Sequence, residues 1–258
     1  MVIFLFYEKN NIKLYYEVHG KGVKNIVILP GWGDNRITFY PLINHLLSDY
    51  KIYIIDLFGF GNSPFLNQTL TIYEYSLFIK EWMEDLEINN PYIIAHSFGG
   101  RVAILLCAYY KVKIEKLILI DSAGIVHKKT LNEKIKLYSY KFLKSLNIFL
   151  SKKQKEKYLT YLFSKFASND YMSIPKSQRE TFKNIVNEDL SFYLKDILTS
   201  TLILWGENDL DTPLSDGKIM EKNIKNSALI SFPKAGHFCY LDYQERINLI
   251  IESFFKSK

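Results

Sequence analysis

The chain has 258 residues, of which 48% are apolar and 23% are charged, so it can bury a sizeable core and wholesale disorder is excluded. Its 33 Lys and Arg residues outnumber its 27 Asp and Glu residues, for a net charge of +6. The two cysteines, Cys107 and Cys239, lie far apart without CxxC spacing, which indicates neither a disulfide framework nor a cysteine metal site. This cysteine usage fits a reducing compartment, and we expect a cytoplasmic protein.

The N-terminal stretch MVIFLFYEKN is apolar but lacks the basic start and the apolar length of a signal peptide. A membrane-spanning helix would need about 20 apolar residues. We therefore expect two strands that turn at residues 9–11 and no stable membrane insertion.

The basic excess belongs to one internal segment. Residues 125–196 hold 15 Lys and Arg against 7 Asp and Glu, a net of +8, whereas the rest of the chain carries −2. Such a segment is either a solvated helical surface or a surface that attracts acidic partners. We expect no nucleic acid partner.

Short apolar runs alternate with helix-like runs along most of the chain. The helix-like run at 71–88 carries Thr71 and Glu74 as a capping box, the run after residue 97 carries one apolar stripe, and a last helix is expected from about Asp242. This alternation predicts an α/β fold, with a mostly parallel central sheet and helices on both faces. The buried strands are expected at 25–30, 51–57, 91–97, 116–123, 200–209 and 227–233.

The alternation breaks after the sixth strand. Residues 125–196 predict Lys-, Tyr- and Phe-rich helices at 134–150 and 155–167 and a further helix at about 177–187. A helical insertion at this point predicts a cap over the carboxyl edge of the sheet, where open α/β sheets bind ligands. The expected domains are a core of 1–124 and 197–258 and a cap of 125–196.

The stretch AHSFGG, residues 95–100, joins a buried run to a helical run. A serine at the tip of such a turn is held in a strained conformation that points its hydroxyl out of the sheet, and the residues two before and two after must be small. Ala95 and Gly99 meet this requirement, although the usual pattern begins with glycine. Ser97 is therefore the candidate nucleophile, and it requires a base.

Of the five histidines, His237 follows the last predicted strand, on a loop that can reach over the carboxyl edge towards Ser97. Asp209, at the end of the run 200–209, is expected to hold His237 in the tautomer that accepts the serine proton. Three other carboxylates are alternatives, the last of which is expected to fix its own turn instead: Asp211, Asp121 and Asp56.

An acyl-transfer site also needs N–H donors for the developing oxyanion. The backbone N–H of Phe98, at the start of a helix, is one candidate, and the N–H of Trp32 in LPGWGDN is the other. Gly31 and His96, which stand beside these turns, are expected to contact the substrate. No metal ligand set is expected.

Together these motifs resemble the α/β-hydrolase superfamily over nearly the whole chain. LPGWGDN resembles its oxyanion loop, DLFGFGNS its D-x-x-G-x-G-x-S turn, AHSFGG its nucleophile elbow, WGENDLDTP its acid loop and AGHF its histidine loop. The order Ser97, Asp209, His237 is that of the family. Pro30 stands where the family usually has histidine, and a serine nucleophile argues against the dehalogenase and epoxide hydrolase branches, which use aspartate.

The resemblance implies two-step acyl transfer without a metal or organic cofactor, and we expect an ester of a small or medium acyl group as the substrate. Resemblance to cap-bearing carboxylesterases, including the pimeloyl-carrier-protein methyl esterase group, implies that an acidic acyl-carrier protein docks on the basic cap. Three alternatives remain open. They are C–C bond hydrolysis of a diketone by the same triad, lipid hydrolysis with 140–150 as an interfacial helix, and ligand binding with negligible turnover.

Overall fold

A central sheet organises the molecule. The computed structural model describes residues 2–34, 36–66, 68–127, 131–145, 152–166, 174–175 and 178–257. Its strands are Val2–Lys9 (β1), Ile12–His19 (β2), Lys24–Leu29 (β3), Tyr50–Ile55 (β4), Tyr92–His96 (β5), Lys116–Ile120 (β6), Thr201–Gly206 (β7) and Ser227–Phe232 (β8). The sheet order is β1-β2-β4-β3-β5-β6-β7-β8, with β2 antiparallel to β1 and β4 and the other neighbours parallel. The predicted hairpin and mostly parallel sheet are confirmed.

Helices cover both faces of the sheet. They are Tyr40–Ile43 (α1), Ile72–Asp85 (α2), Phe98–Ala108 (α3), Leu131–Ser145 (α4), Lys152–Phe166 (α5), Arg179–Val186 (α6), Leu214–Asn223 (α7), Cys239–Asp242 (α8) and Gln244–Lys256 (α9). One face packs Trp82, Leu105 and Met220 from α2, α3 and α7. The other packs Ile247 and Phe255 from α9. The predicted two-sided covering is therefore confirmed.

The central strands are apolar throughout because both of their faces are buried. Ile94 in β5 and Ile118 in β6 are each 0% exposed. Full burial of such a side chain contributes about 1.5–3 kcal/mol. This burial fixes the carboxyl ends of β5, β6 and β7 side by side at one edge of the sheet.

The predicted capping box at the start of α2 is present. Glu74 N donates to Thr71 Oγ1 at 3.2 Å, and Thr71 N donates to Glu74 Oε2 at 2.8 Å. These bonds satisfy N–H groups that the first turn of a helix leaves free, a contribution of about 1 kcal/mol.

Several boundaries differ from the predicted ones. β7 ends at Gly206, so Asp209 lies in the following turn, where Asp209 N donates to Gly206 O at 3.3 Å. The last helix begins at Gln244, since the Asp242 carboxylate accepts a hydrogen bond from Gly236 N at 3.1 Å instead of capping that helix. α3 is buried along its whole length rather than on one stripe, because α2 and the 3-10 helix Ser191–Asp196 also pack against it.

Residues 125–196, here called the inserted segment, connect β6 to β7. The predicted helices correspond to α4, α5 and α6, and residues 146–150, 167 and 177 of the predicted ranges lie outside the described residues. Gln178 Nε2 donates to Leu66 O at 2.5 Å and Leu190 N donates to Gly124 O at 2.8 Å, which fastens the segment to the sheet. That the inserted segment forms a separate cap domain remains a prediction. Within the described ranges, every helix is too short or too polar to cross a bilayer.

Candidate active site

Ser97 occupies the sharp turn between β5 and α3. Its backbone lies at φ 47° and ψ −111°. A positive φ in a residue with a Cβ costs on the order of 1–3 kcal/mol and persists where surrounding contacts enforce it. Here Ser97 N donates to Ile120 O at 3.1 Å, and Ala123 N donates to Ser97 O at 2.9 Å. The predicted strained turn at Ser97 is therefore present.

Small residues around Ser97 allow the close approach that the turn requires. A Cβ on Gly99 would lie 2.0 Å from Leu29 O, and a Cβ on Gly100 would lie 1.8 Å from Ser122 Oγ. Ala95 is fully buried within β5. α3 therefore begins in direct contact with the ends of β3 and β6.

The loop after β3 is tied to the same turn. Gly99 N donates to Pro30 O at 3.0 Å. A Cβ on Gly31 would lie 2.8 Å from His96 Nδ1 and 3.2 Å from the Cβ of Ser97, so the absence of a side chain at Gly31 lets the loop pass this close without displacing its neighbours. The N–H groups of Trp32 and Phe98, the predicted oxyanion donors, thus belong to two adjoining turns.

His237 lies on the loop after β8 and forms a hydrogen bond with a buried carboxylate. His237 Nδ1 donates to Asp209 Oδ2 at 2.8 Å. Asp209 Oδ1 accepts from Asp211 N at 2.8 Å and from Thr212 N at 3.0 Å, and Oδ2 also accepts from Thr212 Oγ1 at 2.6 Å. Asp209 is 5% exposed. The carboxylate is therefore held in one orientation by four donors.

The pKa values of this pair move in the directions that keep it ionised. Burial by itself raises the pKa of Asp209, but hydrogen bonds from His237 and Thr212 outweigh it and hold that pKa below its ordinary value. Burial lowers the pKa of His237, but the hydrogen bond and charge of Asp209 outweigh it and raise that pKa. Asp209 thus favours protonation of the imidazole, as a base in acyl transfer requires.

Asp121 and Asp211 take other roles. Asp121 Oδ1 accepts from Gly206 N at 2.7 Å and Oδ2 accepts from Cys239 N at 3.1 Å, which joins β7 to the histidine loop. Burial raises the pKa of Asp121 to about 6. Asp211 is exposed, and its backbone N–H serves Asp209.

Asp56 fixes its own turn, as predicted. Asp56 Oδ2 accepts from Asn62 N at 2.8 Å and pairs with Arg36 Nη1 at 2.6 Å. Gly61 packs directly over this carboxylate, since a Cβ there would lie 2.1 Å from Asp56 Oδ2. Among the described carboxylates, Asp209 is the one that bonds to His237.

A cavity of about 390 Å³ opens over this edge of the sheet. Ser97 and His237 both line it, so the structure brings these two predicted residues together. Trp32 and Phe98 from the core also line it, as do Phe182 and Ile185 from the inserted segment, and the Trp32 and Phe182 rings pack with their centroids 5.1 Å apart. Its volume falls in the range of small-molecule sites, about 300–1,000 Å³.

His96 and Gly31 are not among the residues that line this cavity. The His96 ring is 1% exposed and packs against Phe39 and Tyr240. His96 Nε2 donates to His237 O at 2.8 Å. The ring therefore lies behind the histidine loop and helps to position it, and the contacts of His96 and Gly31 with substrate remain predictions.

The sequence did not predict three features of the cavity. The first is the pair of hydrogen bonds from Thr212 to Asp209. The position of Thr212 inside the acid-loop motif WGENDLDTP could have indicated this contact. His127 Nε2 donates to Asp216 Oδ1 at 2.5 Å across 89 positions of sequence, and both residues line the cavity. Arg101, which also lines it, reads in sequence as an ordinary helical surface residue.

The ligand atoms of Asp209, Asp211 and His237 lie within 4.8 Å of one another, a spacing that a cation could use. His237 Nδ1 and Asp209 Oδ2 already share a hydrogen bond at 2.8 Å, and a protonated Nδ1 has no lone pair to offer a metal. The cluster is therefore better suited to orienting the imidazole than to holding an ion.

Residues 24–243 match the family described as alpha/beta hydrolase fold. The chain therefore belongs to the alpha/beta hydrolase fold family, in agreement with its sheet order and with the resemblance seen in its motifs. Family membership and the esterases among its relatives support a hydrolase.

The relatives span several activities. The chain is 26% identical to an AB hydrolase superfamily protein of Bacillus subtilis, over 96% of this chain and 97% of the relative. It is 24% identical to a pimeloyl-[acyl-carrier protein] methyl ester esterase of Legionella pneumophila (95% and 100% covered). It is 22% identical to a 2-hydroxy-6-oxononadienedioate/2-hydroxy-6-oxononatrienedioate hydrolase of Pseudomonas putida (95% and 92% covered). The esterase structure from Exiguobacterium antarcticum shares the fold, with a TM-score of 0.75, 24% identity and 98% and 99% covered.

Proposed function

We propose that the protein is a serine hydrolase that cleaves the carboxylic ester of a small or medium acyl group through an acyl-enzyme on Ser97. The observation that carries this proposal is the cavity that Ser97 shares with His237, whose Nδ1 bonds to Asp209 at 2.8 Å. The strained backbone of Ser97 supports the same conclusion.

In the proposed reaction, His237 accepts the proton of Ser97 as Oγ attacks the ester carbonyl. The N–H groups of Trp32 and Phe98 stabilise the oxyanion, and the alcohol leaves with the proton from His237. Water then attacks the acyl-enzyme with His237 as base again, which releases the acid and restores Ser97.

Ser97 Oγ is available for this step. Its backbone groups are bonded to Ile120 and Ala123, but its hydroxyl has no hydrogen bond to a described residue. Rotation of Oγ towards His237 Nε2 therefore breaks no hydrogen bond within that part of the chain. Such catalytic hydrogen bonds commonly tighten only when substrate is bound.

The proposal is tested with p-nitrophenyl esters from acetate to laurate and with intact-mass detection of the acyl-enzyme. We expect chain-length-dependent release, a mass increase equal to the acyl group, and loss of both in Ser97→Ala. Removal of the nucleophile should lower kcat by at least about 10⁴-fold.

Ser122→Ala is the matched control. Ser122 follows β6, is fully buried and donates to Ala123 O at 3.0 Å, outside the cavity wall. Its variant should keep both the adduct and the turnover. Absence of adduct and release from the wild-type protein at every chain length would contradict the proposal and favour a ligand-binding role.

C–C bond hydrolysis is the second candidate, favoured by the similarity to the Pseudomonas putida hydrolase. The same Ser97, Asp209 and His237 would serve that reaction. Turnover of a vinylogous 1,5-diketone acid at a kcat/KM above that of every p-nitrophenyl ester would assign this activity instead.

An acyl-carrier protein is a candidate partner, supported by the similarity to the Legionella esterase and by the net charge of +8 in the inserted segment. Lys155 and Lys157 in α5 are exposed. Reversal of both charges should raise KM for a carrier-bound ester and leave a free methyl ester unaffected. Equal KM values of the wild-type enzyme and the charge-reversed variant for the carrier-bound ester would exclude this docking surface.

A further inference from the structure

Arg101 is a buried cation in the wall of the cavity, outside the proposed triad. It lies in α3, four residues after Ser97, so about 6 Å of helix axis separates the two backbone positions. Arg101 lines the cavity although it is only 5% exposed, and its Nη2 donates to the carbonyl oxygen of Val186, which lines the same cavity. The nucleophile candidate and Arg101 therefore line one common space.

Arg101 is bonded to carbonyl oxygens and forms no salt bridge with a described carboxylate. Nη1 donates to Glu188 O at 2.6 Å, and Nη2 donates to Val186 O at 3.3 Å. A guanidinium has five N–H donors, so three have no partner among the described residues. Burial lowers the pKa of Arg101 to about 10, and the group stays charged at neutral pH.

The carboxylate that shares this part of the cavity is already engaged. Asp216 Oδ1 accepts from His127 Nε2 at 2.5 Å, and Asp216 acts on Arg101 only at longer range, as do Glu188 and Asp189. A buried charge without an ion pair is unfavourable unless a ligand supplies the opposite charge. The planar fork of arginine matches a carboxylate in two parallel hydrogen bonds.

Building on the proposed function, we propose that Arg101 binds a carboxylate of the substrate while Ser97 attacks an ester several bonds away. The substrate class is then an ester that carries a second, anionic group. That group belongs either to the acyl part, as in the monoester of a dicarboxylic acid, or to the alcohol part, as in an acylated hydroxy acid.

The test compares pairs of esters that differ in charge alone. One arm uses monomethyl succinate, glutarate, adipate and pimelate, each beside the methyl ester whose far end is a carboxamide of the same shape. The other arm uses acetoxy acids beside acetoxy carboxamides. We expect kcat/KM to favour the charged member of a pair by about 10- to 100-fold in one arm, which identifies the part that carries the carboxylate.

Arg101→Met should reduce that charged-to-neutral ratio to about one by removing the charge-assisted hydrogen bonds, with a much smaller change for the neutral ester. Arg101→Lys keeps the charge but not the fork and should give an intermediate ratio. Lys116→Met is the matched control. Lys116 is another buried cation on carbonyl oxygens, at 2.6 Å from Phe254 O, but it lies outside the cavity wall and should leave the ratio unchanged.

Calorimetry on Ser97→Ala separates this inference from the proposed function. The charged esters of the arm that shows the preference should bind this inert variant, and Ser97→Ala combined with Arg101→Met should lose that binding. If the wild-type protein hydrolyses neutral esters with a charged-to-neutral kcat/KM ratio at or below one in both arms, that result overturns the carboxylate site and leaves the esterase proposal standing. Binding that depends on Arg101 in a protein that hydrolyses none of the esters supports the site and overturns the esterase. An equal loss on both members of a pair in Arg101→Met overturns the carboxylate site, because it indicates that Arg101 only joins α3 to the inserted segment.

Discussion

The hydrogen bond between His237 and Asp209 links two charges whose pKa values move apart. The pKa of His237 is raised and that of Asp209 is lowered, each because the partner stabilises its ionised form. By linkage, the His237 contribution to stability is present below its ordinary pKa and is lost as pH rises through the raised value. The Asp209 contribution is present above its ordinary pKa and is lost as pH falls through the lowered value.

This pair predicts the pH dependence of the reaction. His237 accepts a proton only in its neutral form, so kcat/KM should rise with pH through a midpoint above 6.5, the ordinary pKa of histidine. Asp209→Asn should move the midpoint to lower pH and reduce kcat by about 10³- to 10⁴-fold, because the amide no longer stabilises the imidazolium or its tautomer. A pH profile of ester hydrolysis measures both effects.

Asp211→Asn is the control for that experiment. Asp211 is exposed, and its contact with Asp209 is through the backbone N–H, which the substitution keeps. The kcat of this variant should stay within a few-fold of wild type. A wild-type midpoint below 6.5, or an Asp209→Asn profile that matches wild type, would contradict the assignment of the acid.

At the scale of elements, the start of α3 is held against the end of β3. Gly99 N donates to Pro30 O at 3.0 Å, and the absence of a side chain at Gly99 permits this contact. The contact sets the spacing between the two turns that carry the predicted oxyanion donors. Catalytic geometry is sensitive to displacements of about 1 Å.

Gly99→Ala should therefore reduce both stability and activity. The new Cβ would lie 2.0 Å from Leu29 O, so α3 must move away from β3. We expect kcat to fall by about 10²-fold and the free energy of unfolding to fall by about 1–3 kcal/mol. Urea unfolding and ester hydrolysis on the same preparation measure the two effects.

Gly236→Ala serves as the comparison, since a Cβ at Gly236 has no atom of the described residues within 4 Å. Its unfolding midpoint and kcat should match the wild type. If Gly99→Ala behaved like Gly236→Ala, the contact between α3 and β3 would not determine the geometry of the site.

At the scale of the whole molecule, Lys116 joins the start of β6 to the C-terminal end of α9. Lys116 Nζ donates to Phe254 O at 2.6 Å, Ser257 O at 2.5 Å and Ser257 Oγ at 2.8 Å. Phe254 lies in the last turn of α9 and Ser257 directly follows the helix, a place where carbonyl groups lack partners further along the helix. A central strand is thereby fastened to the far end of the chain.

Lys116→Met should lower the free energy of unfolding by about 1.5–3 kcal/mol, the range for hydrogen bonds to charged groups. Activity at 25 °C should not change, because Lys116 lies outside the cavity wall. Thermal unfolding followed by circular dichroism measures the loss, and the exposed cation Lys111 provides the control as Lys111→Met. Equal melting temperatures for the two variants would contradict a stabilising role for Lys116.

The sequence alone determined the features that depend on neighbouring residues. Continuous apolar runs predicted the buried strands, Thr71 and Glu74 predicted the start of α2, and the small residues around Ser97 predicted its strained turn. Three strand ends were placed two or three residues too far, because the predicted runs included turn residues that follow the last ladder pair, such as 121–123 and 207–209. The positions of Ser97, Asp209 and His237 after three strands predicted that they share one edge of the sheet, and their action as a triad remains a proposal.

The tertiary structure alone decided the contacts that join distant parts of the chain. His127 meets Asp216 across 89 positions, and Arg101 meets the carbonyl oxygens at the end of α6, although no local pattern marks either contact. The His96 ring packs against Phe39 and Tyr240, which come from distant parts of the chain. Local periodicity and turn chemistry specify elements and their ends, whereas the composition of a cavity wall depends on how the inserted segment packs over the sheet.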